Sequence, residues 1–143
     1  MMVYVSKIQV RWDDLDAFGH INNAAYLTLA QEARADFTWY GPRRNGEEPI
    51  LSDMVVARTE VDYLEPIYEG GIEVEIAISV VRMGTSSFDL AYEISRDATI
   101  HARVRSVQVA VSMETKRSRP LNEVERTFLN RYLAETPEAT KEN

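Results

Sequence analysis

The stretch RWDDLDAFGHINNAAYLTLAQEARADFTWYGP, residues 11–42, changes character partway along its length. Its first part is polar and contains three aspartates, one of the chain's two histidines and two adjacent asparagines. From Tyr26 onward the apolar residues recur at spacings of three and four, which is typical of a helix with one buried face. Gly41 and Pro42 are suited to end such a helix. The stretch therefore predicts a helix over residues 26–40 that follows a turn rich in carboxylates.

The rest of the chain favours strands. Residues 3–10 predict a first strand, and after a loop over residues 43–53 the apolar period changes to two. The sequence predicts four further strands joined by short turns, at residues 54–64, 72–81, 88–95 and 100–113. We expect these four strands to pair as an antiparallel meander, with the first strand in the same sheet.

These elements predict an α+β fold in which a long helix lies across one face of a five-stranded antiparallel sheet. A short C-terminal helix is expected where residues 121–132 repeat apolar positions with helical spacing. We expect one domain over residues 1–135 and a disordered tail over residues 136–143. The half-covered sheet and its edge strands favour a homo-oligomer.

Composition excludes several classes of function. The chain has 143 residues, a formal charge of -7 and no cysteine. The acidic balance argues against a nucleic-acid partner, and no apolar run approaches the roughly 20 residues that a membrane span needs. The N-terminus has no signal-peptide pattern, so we expect a cytoplasmic protein without membrane association. The absence of cysteine excludes thiolate chemistry, two widely separated histidines predict no metal site, and we expect no cofactor.

The carboxylates ahead of the helix could act together with its N-terminus. The first turn of a helix presents N–H groups without intrahelical partners and a partial positive charge. Such a donor can stabilise the oxyanion that forms when a carbonyl is attacked, by about 3 kcal/mol. A nearby aspartate could attack the carbonyl or activate water. A thioester is a suitable substrate for these groups, because thiols ionise near pH 8.5 and the thiolate can therefore leave with little help from an acid. Aspartates in this position also serve as turn and cap residues, which is the structural alternative.

A likeness to a known family is carried by one run of residues, Asp14-x-Asp16-x-x-Gly19-His20-Ile21-Asn22-Asn23-x-x-Tyr26, followed by Glu32-Ala33-Arg34. The run resembles the hotdog-fold acyl-CoA thioesterases, in particular the branch typified by 4-hydroxybenzoyl-CoA thioesterase. Residues 63–66 and 84–88 agree with this likeness, which covers roughly residues 4 to 132. The resemblance implies a long helix wrapped by an antiparallel sheet. It also implies homodimers or homotetramers with the active site between subunits, and hydrolysis of an acyl-CoA or acyl carrier protein thioester.

The resemblance also implies roles for single residues. Asp16 would be the nucleophile or general base, and the backbone N–H of Asn23 would polarise the thioester carbonyl. Gly19 would allow the tight turn between them. His20 inherits no role from the resemblance, because the histidine of those relatives that have one lies at another position; it is a further catalytic candidate from its place beside Asp16, with a purely structural hydrogen-bonding role as the alternative. The candidates for substrate contacts are Asn22, Tyr26, Glu32, Arg82, Ser86 and Ser87.

Two other functions are compatible with the residues. A non-catalytic acyl-CoA-binding or regulatory protein could use the same fold and keep the same pocket. A hotdog hydratase or dehydratase also sets an aspartate and a histidine near a helix start. The motif of that group resembles D-x-N-P-x-H, whereas only three residues separate Asp16 from His20 here and Asn-Pro is missing.

Overall fold

The computed structural model describes residues 2–135, so the tail expected at residues 136–143 lies outside the described part of the chain. The elements in chain order are β1 Tyr4–Gln9, a 3-10 turn Trp12–Asp14, α1 Ala25–Ala35, a π-helical turn Asp36–Tyr40, α2 Gly41–Arg44, β2 Met54–Tyr63, β3 Glu73–Met83, β4 Ser87–Arg96, β5 Thr99–Ala110 and α3 Glu123–Asn130. The predicted α+β class is confirmed, with its long helix, five-stranded antiparallel sheet and short C-terminal helix.

The five strands form one sheet in the order β1-β3-β4-β5-β2. β3, β4 and β5 pair in chain order, but β2 pairs with β5, with Tyr63 opposite Ala102. The expected four-strand meander is therefore wrong at β2. The nine residues between β2 and β3 include Pro66, and this connection is longer than the two to five residues that join hairpin strands. It carries the chain from the β2 edge across to β3, beside β1.

The long helix covers only part of the sheet. Alternate residues of β3, β4 and β5 point towards the helix and are almost fully buried. α1 covers them with a stripe of its own buried side chains, Tyr26, Leu29, Ala30 and Ala33. β2, in contrast, is exposed or partly exposed along its whole length. The apolar layer between α1 and the sheet stabilises the fold, and β2 remains an open edge.

The helix does not end at Gly41-Pro42, contrary to the prediction. In a regular α-helix the ring of Pro42 would clash with the carbonyl of Thr38 and remove its hydrogen bond. Here the turn before it is π-helical, and the N–H of Gly41 donates to the carbonyl of Asp36. The carbonyl of Thr38 accepts the N–H of Ile50 at 2.8 Å instead. The wider turn and this distant donor let the helix continue through the proline to Arg44.

Asp36 joins this end of the helix to β1. Its carboxylate accepts hydrogen bonds from the hydroxyls of Ser6 and Tyr4 and from the guanidinium of Arg44, the last at 2.6 Å. Burial raises the pKa of Asp36, but these three donors outweigh burial and hold the pKa below its usual value. The ionised carboxylate is therefore the form that the fold stabilises.

We expect Asp36→Asn to lower the free energy of unfolding by about 1–3 kcal/mol at pH 7, because the amide loses charge-assisted hydrogen bonds. The folded-state pKa is depressed, so this contribution is present above the unfolded pKa of about 3.9 and is lost as the pH falls through the folded value. Urea denaturation of both proteins at pH 7 and near pH 3 measures the effect. A destabilisation of equal size at the two pH values would contradict it, and Asp13→Asn, at an exposed carboxylate, is the control.

Candidate active site

Residues 14–22 form a small antiparallel hairpin ahead of α1. Leu15 bridges to Ile21 across the hairpin, and the N–H of Asp16 donates to the carbonyl of His20 at 2.9 Å. The hairpin therefore places Asp16 near its tip, while its second strand leads directly into the start of the helix.

Gly19 reverses the chain at the tip of this hairpin. Its φ of +82° lies in the left-handed region, which glycine enters without steric cost, and its N–H donates to the carbonyl of Asp16 at 3.1 Å. The N–H of Phe18 donates to the carboxylate of Asp16 at 2.9 Å. This local turn fixes the orientation of the Asp16 carboxylate.

His20 is held within the same turn. Its Nδ1 lies 3.2 Å from the carbonyl oxygen of Ile21 and 3.5 Å from a carboxylate oxygen of Asp16. Both neighbours are acceptors, so we assign the ring hydrogen to Nδ1. The imidazole lies between the rings of Phe18 and Tyr68, at centroid distances of 6.2 Å and 6.4 Å. His20 thus orients the turn around Asp16.

The helix start leaves the backbone N–H of Asn23 unpaired. Asn22 closes the turn that leads into the helix, because its side-chain oxygen accepts the N–H of Ala24 and its carbonyl accepts the N–H of Ala25, both at 2.9 Å. Within residues 2–135, the N–H of Asn23 has no acceptor, and the carbonyl of Asn23 accepts the hydroxyl of Tyr63 at 2.9 Å. A free N–H beside the positive end of a helix is suited to bind a carbonyl oxygen.

A cleft of about 170 Å³ lies beside this helix start. It is lined by His20, Ile21, Asn23 and Tyr26 on one side and by residues 63–66 on the other. The sequence indicated residues 63–66 only as support for the family resemblance. The alternation of side chains along β2 could have predicted that Tyr63 faces the helix and lines the site.

Tyr26 and Tyr63 form the aromatic part of this cleft. Their rings meet edge to face at 5.2 Å, and Tyr26 is buried. Burial raises the pKa of Tyr26, so its phenol stays neutral at physiological pH. The cleft therefore combines a free N–H with an aromatic wall.

The other predicted substrate contacts lie elsewhere in the subunit. The hairpin follows β1, which ends beside Glu73 at the start of β3. Arg82, Ser86 and Ser87 lie at or just beyond the end of β3, and the two ends of this strand are roughly 35 Å apart. The side chain of Arg82 is 8% exposed and donates to Asp89 at 2.7 Å and to the hydroxyl of Ser87 at 2.6 Å. Its guanidinium is therefore already engaged.

Glu32 and Asp14 also lie outside the cleft. Glu32 is exposed and lines a second cleft, of about 470 Å³, between the helix and β1. Asp14 is 3% exposed and accepts the backbone N–H and guanidinium of Arg11 at 2.8 Å and 2.7 Å. Burial raises the pKa of Asp14, but the bonds from Arg11 outweigh it, so the net shift is downward. Asp14 thus anchors the turn.

The part of the chain that the structure describes contains neither a group of metal ligands nor a membrane-spanning helix. No group of three or more histidine, aspartate or glutamate side chains in residues 2–135 comes together in a way that could hold a metal ion. No helix within the same range is long and apolar enough to cross a bilayer.

Comparisons of sequence identify relatives. A family model described as the Thioesterase-like superfamily matches residues 10–141. The uncharacterized protein YsmA of Bacillus subtilis (strain 168) is 30% identical over 91 residues, which are 62% of this chain and 58% of YsmA. The match thus spans less than two thirds of the length of that relative.

Comparisons of structure agree with the fold described above. A predicted thioesterase from Bacillus stearothermophilus is 26% identical, with a TM-score of 0.80 over 93% of this chain and 98% of that one. A thioesterase from Thermus thermophilus, solved in complex with coenzyme A and Zn, is 30% identical, with a TM-score of 0.73 over 90% and 92% of the two chains. The predicted hotdog fold is confirmed by these likenesses.

We expect Gly19→Val to lower the free energy of unfolding by about 1–2 kcal/mol, because a β-branched residue is strained in the left-handed region. Gly19→Asn is the matched substitution and should cost clearly less, because asparagine tolerates this region. Urea denaturation of the three proteins measures the difference. Equal stability of the glycine and valine proteins would show that the turn does not require this backbone conformation.

Proposed function

Because the chain belongs to the Thioesterase-like superfamily, we propose that it hydrolyses acyl-CoA thioesters to a free acid and coenzyme A in the cleft beside the start of α1. The observation that carries this proposal is the unpaired N–H of Asn23, which opens the helix directly after the hairpin that holds Asp16. The coenzyme A bound to the Thermus thermophilus relative supports coenzyme A as the carrier.

The N–H of Asn23 binds the thioester carbonyl in this proposal. Attack on the carbonyl carbon moves negative charge onto its oxygen, where an oriented donor lowers the barrier by about 3 kcal/mol. The partial positive charge of the helix N-terminus acts in the same direction. Tyr63 holds the peptide of Asn23 in place, because its hydroxyl donates to the Asn23 carbonyl.

Asp16 supplies the carboxylate. It either attacks the carbonyl carbon, giving an anhydride that water then cleaves, or takes a proton from the water that attacks. In both cases the carbon–sulfur bond breaks and coenzyme A leaves as a thiolate, which needs little help from an acid. One oxygen of the carboxylate is held by the N–H of Phe18, and the other faces His20, so the group is already oriented.

A second copy of the chain completes the site in our proposal. β2 is an edge strand of ten residues that pairs with β5 on one side only, and its exposed apolar side chains include Val55, Val56 and Tyr63. An edge of this length is a template for another strand. Antiparallel pairing of two β2 strands about a twofold axis joins two sheets into one of ten strands.

In the proposed dimer, the predicted substrate-binding serines of one copy lie near the cleft of the other copy. The start of β2 lies beside the end of β5, and so near Ser86 and Ser87, whereas its end, Tyr63, lies beside Asn23. In an antiparallel pair the start of one strand meets the end of the other. Ser86 and Ser87 of the second copy therefore approach this cleft and can donate to the pantetheine or phosphates of coenzyme A.

We expect Asp16→Asn to reduce kcat/KM for acyl-CoA hydrolysis by about 10²- to 10⁴-fold, since the amide can neither attack nor accept a proton. Thiol release measured with a thiol reagent over short, long and aromatic acyl-CoA substrates tests this, and Asp13→Asn is the control for charge loss in the same turn. If Asp16→Asn is as active as the parent, another group performs the chemistry.

The same panel tests the non-catalytic alternative. A parent protein that binds acyl-CoA in calorimetry but releases no thiol from any substrate would be a binding or regulatory protein, and the thioesterase proposal would be wrong. Thiol release that depends on Asp16 supports hydrolysis in this cleft.

A further inference from the structure

A chain of four polar side chains lies between the long helix and the sheet. Arg34, on α1, donates to the hydroxyl of Tyr92 at 2.9 Å. This hydroxyl lies 2.7 Å from the hydroxyl of Ser106, which also accepts the side-chain amide of Gln108 at 3.0 Å. Tyr92, Ser106 and Gln108 are all buried. None of the four takes part in the chemistry proposed for Asp16 and Asn23.

This chain of hydrogen bonds contains no carboxylate. Arg34 and Gln108 donate into it, to the hydroxyl oxygens of Tyr92 and Ser106, and these two hydroxyls share a hydrogen bond. No carboxylate in residues 2–135 lies within ion-pair distance of Arg34. The partly buried Arg119, in contrast, pairs with Glu125 at 2.8 Å. A partly buried guanidinium without a counterion is suited to bind an anionic group that enters from outside the subunit.

The side chain of Arg34 lies on the side of the helix that faces the uncovered part of the sheet. Leu27, Gln31 and Arg34 follow one another at spacings of four and three, so they share one flank of α1. Asp36, on the opposite flank, contacts β1, and the bond from Arg34 to Tyr92 of β4 shows that its own flank faces away from β1.

The floor next to this flank is the helix-side face of β2. Val61 is opposite Val104 and Thr59 is opposite Ser106, and cross-strand partners point to the same side of a sheet. Thr59 and Tyr63 are nevertheless exposed. The flank of α1 and the exposed face of β2 therefore border a space that we call the groove, which starts at the cleft lined by Asn23 and Tyr63.

The distance from Asn23 to Arg34 along this groove determines how long an acyl group must be to reach Arg34. Arg34 is eleven positions after Asn23, which corresponds to about 16 Å along a helix. Its side chain leans back towards the helix N-terminus, which shortens this distance. An extended medium-chain acyl group whose thioester carbonyl meets the Asn23 N–H would thus bring its far end to Arg34.

We propose that the acyl group of the substrate ends in a carboxylate that binds Arg34, so that the preferred substrates are coenzyme A thioesters of medium-chain dicarboxylic acids. This inference rests on the thioesterase function proposed above and adds the substrate class. A carboxylate supplies the counterion that Arg34 does not have among residues 2–135, and it matches the fork of a guanidinium in a bidentate, charge-assisted pair. Tyr92 is a positioning residue, since it holds the guanidinium but does not touch the substrate.

The test compares matched pairs of substrates that differ only at the far end of the chain. Thiol release gives kcat/KM for adipoyl-, suberoyl- and dodecanedioyl-CoA and for hexanoyl-, octanoyl- and dodecanoyl-CoA. We expect the parent to prefer the dicarboxylic member of at least one pair by roughly 10- to 100-fold, the range for hydrogen bonds to charged groups.

Variants assign this preference to Arg34. Arg34→Met should bring the ratio of the two kcat/KM values to one or below. Arg34→Lys should keep part of it, because the charge remains without the fork. Tyr92→Phe should raise KM for the dicarboxylic substrate more than it changes kcat. The matched control is Arg103→Met, at an exposed arginine that pairs with Glu93, and it should leave the ratio unchanged.

The outcomes separate this inference from the function on which it rests. Absence of a preference in all three pairs, or a preference that survives in Arg34→Met, would overturn the inference while hydrolysis itself stands. Absence of hydrolysis for every thioester would overturn the function. If Arg34→Met does not fold, competitive inhibition of the parent decides: dodecanedioate should inhibit more strongly than dodecanoate, and equal inhibition would overturn the inference.

Discussion

Asn22 uses both of its oxygens on the N–H groups of Ala24 and Ala25, and this turn leaves the N–H of Asn23 unpaired at the start of the long helix. The features of the proposed site depend on that arrangement. The hairpin that ends in Asn22 also presents the carboxylate of Asp16, so one short segment carries both the donor and the base or nucleophile. Gly19 makes this segment possible, because its left-handed backbone reverses the chain between the two groups.

The incomplete cover of the sheet is the second constraint. The helix buries one face of β3, β4 and β5, but β2 keeps both an open edge and an open helix-side face. In our proposals the open edge offers backbone groups to a second copy, and the open face forms the floor of the groove from Asn23 to Arg34. Oligomerisation and substrate choice are therefore linked in our proposals, because both use surfaces of the same strand.

Local patterns predicted the helix, the five strands and the carboxylate-rich turn that contains Asp16, because their signals lie within short windows of sequence. The features that the sequence did not reveal depend on distant partners. Pro42 is accommodated because Ile50 bonds to the helix, and Arg34 meets Tyr92 across 58 positions. The sequence contained a signal against pairing β2 with β3, because a long connection that contains a proline disfavours a hairpin. It contained no signal that names β5 as the partner.

The most direct measurement concerns the backbone amide of Asn23. A ketone analogue of an acyl-CoA, with methylene in place of the thioester sulfur, keeps the carbonyl but resists hydrolysis. Titration of the ¹⁵N-labelled protein with this analogue should move the amide proton of Asn23 downfield along a saturable curve, because the carbonyl accepts a hydrogen bond from it. Saturable binding that shifts other amides and leaves that of Asn23 unchanged would contradict the role of this N–H and with it the proposed site.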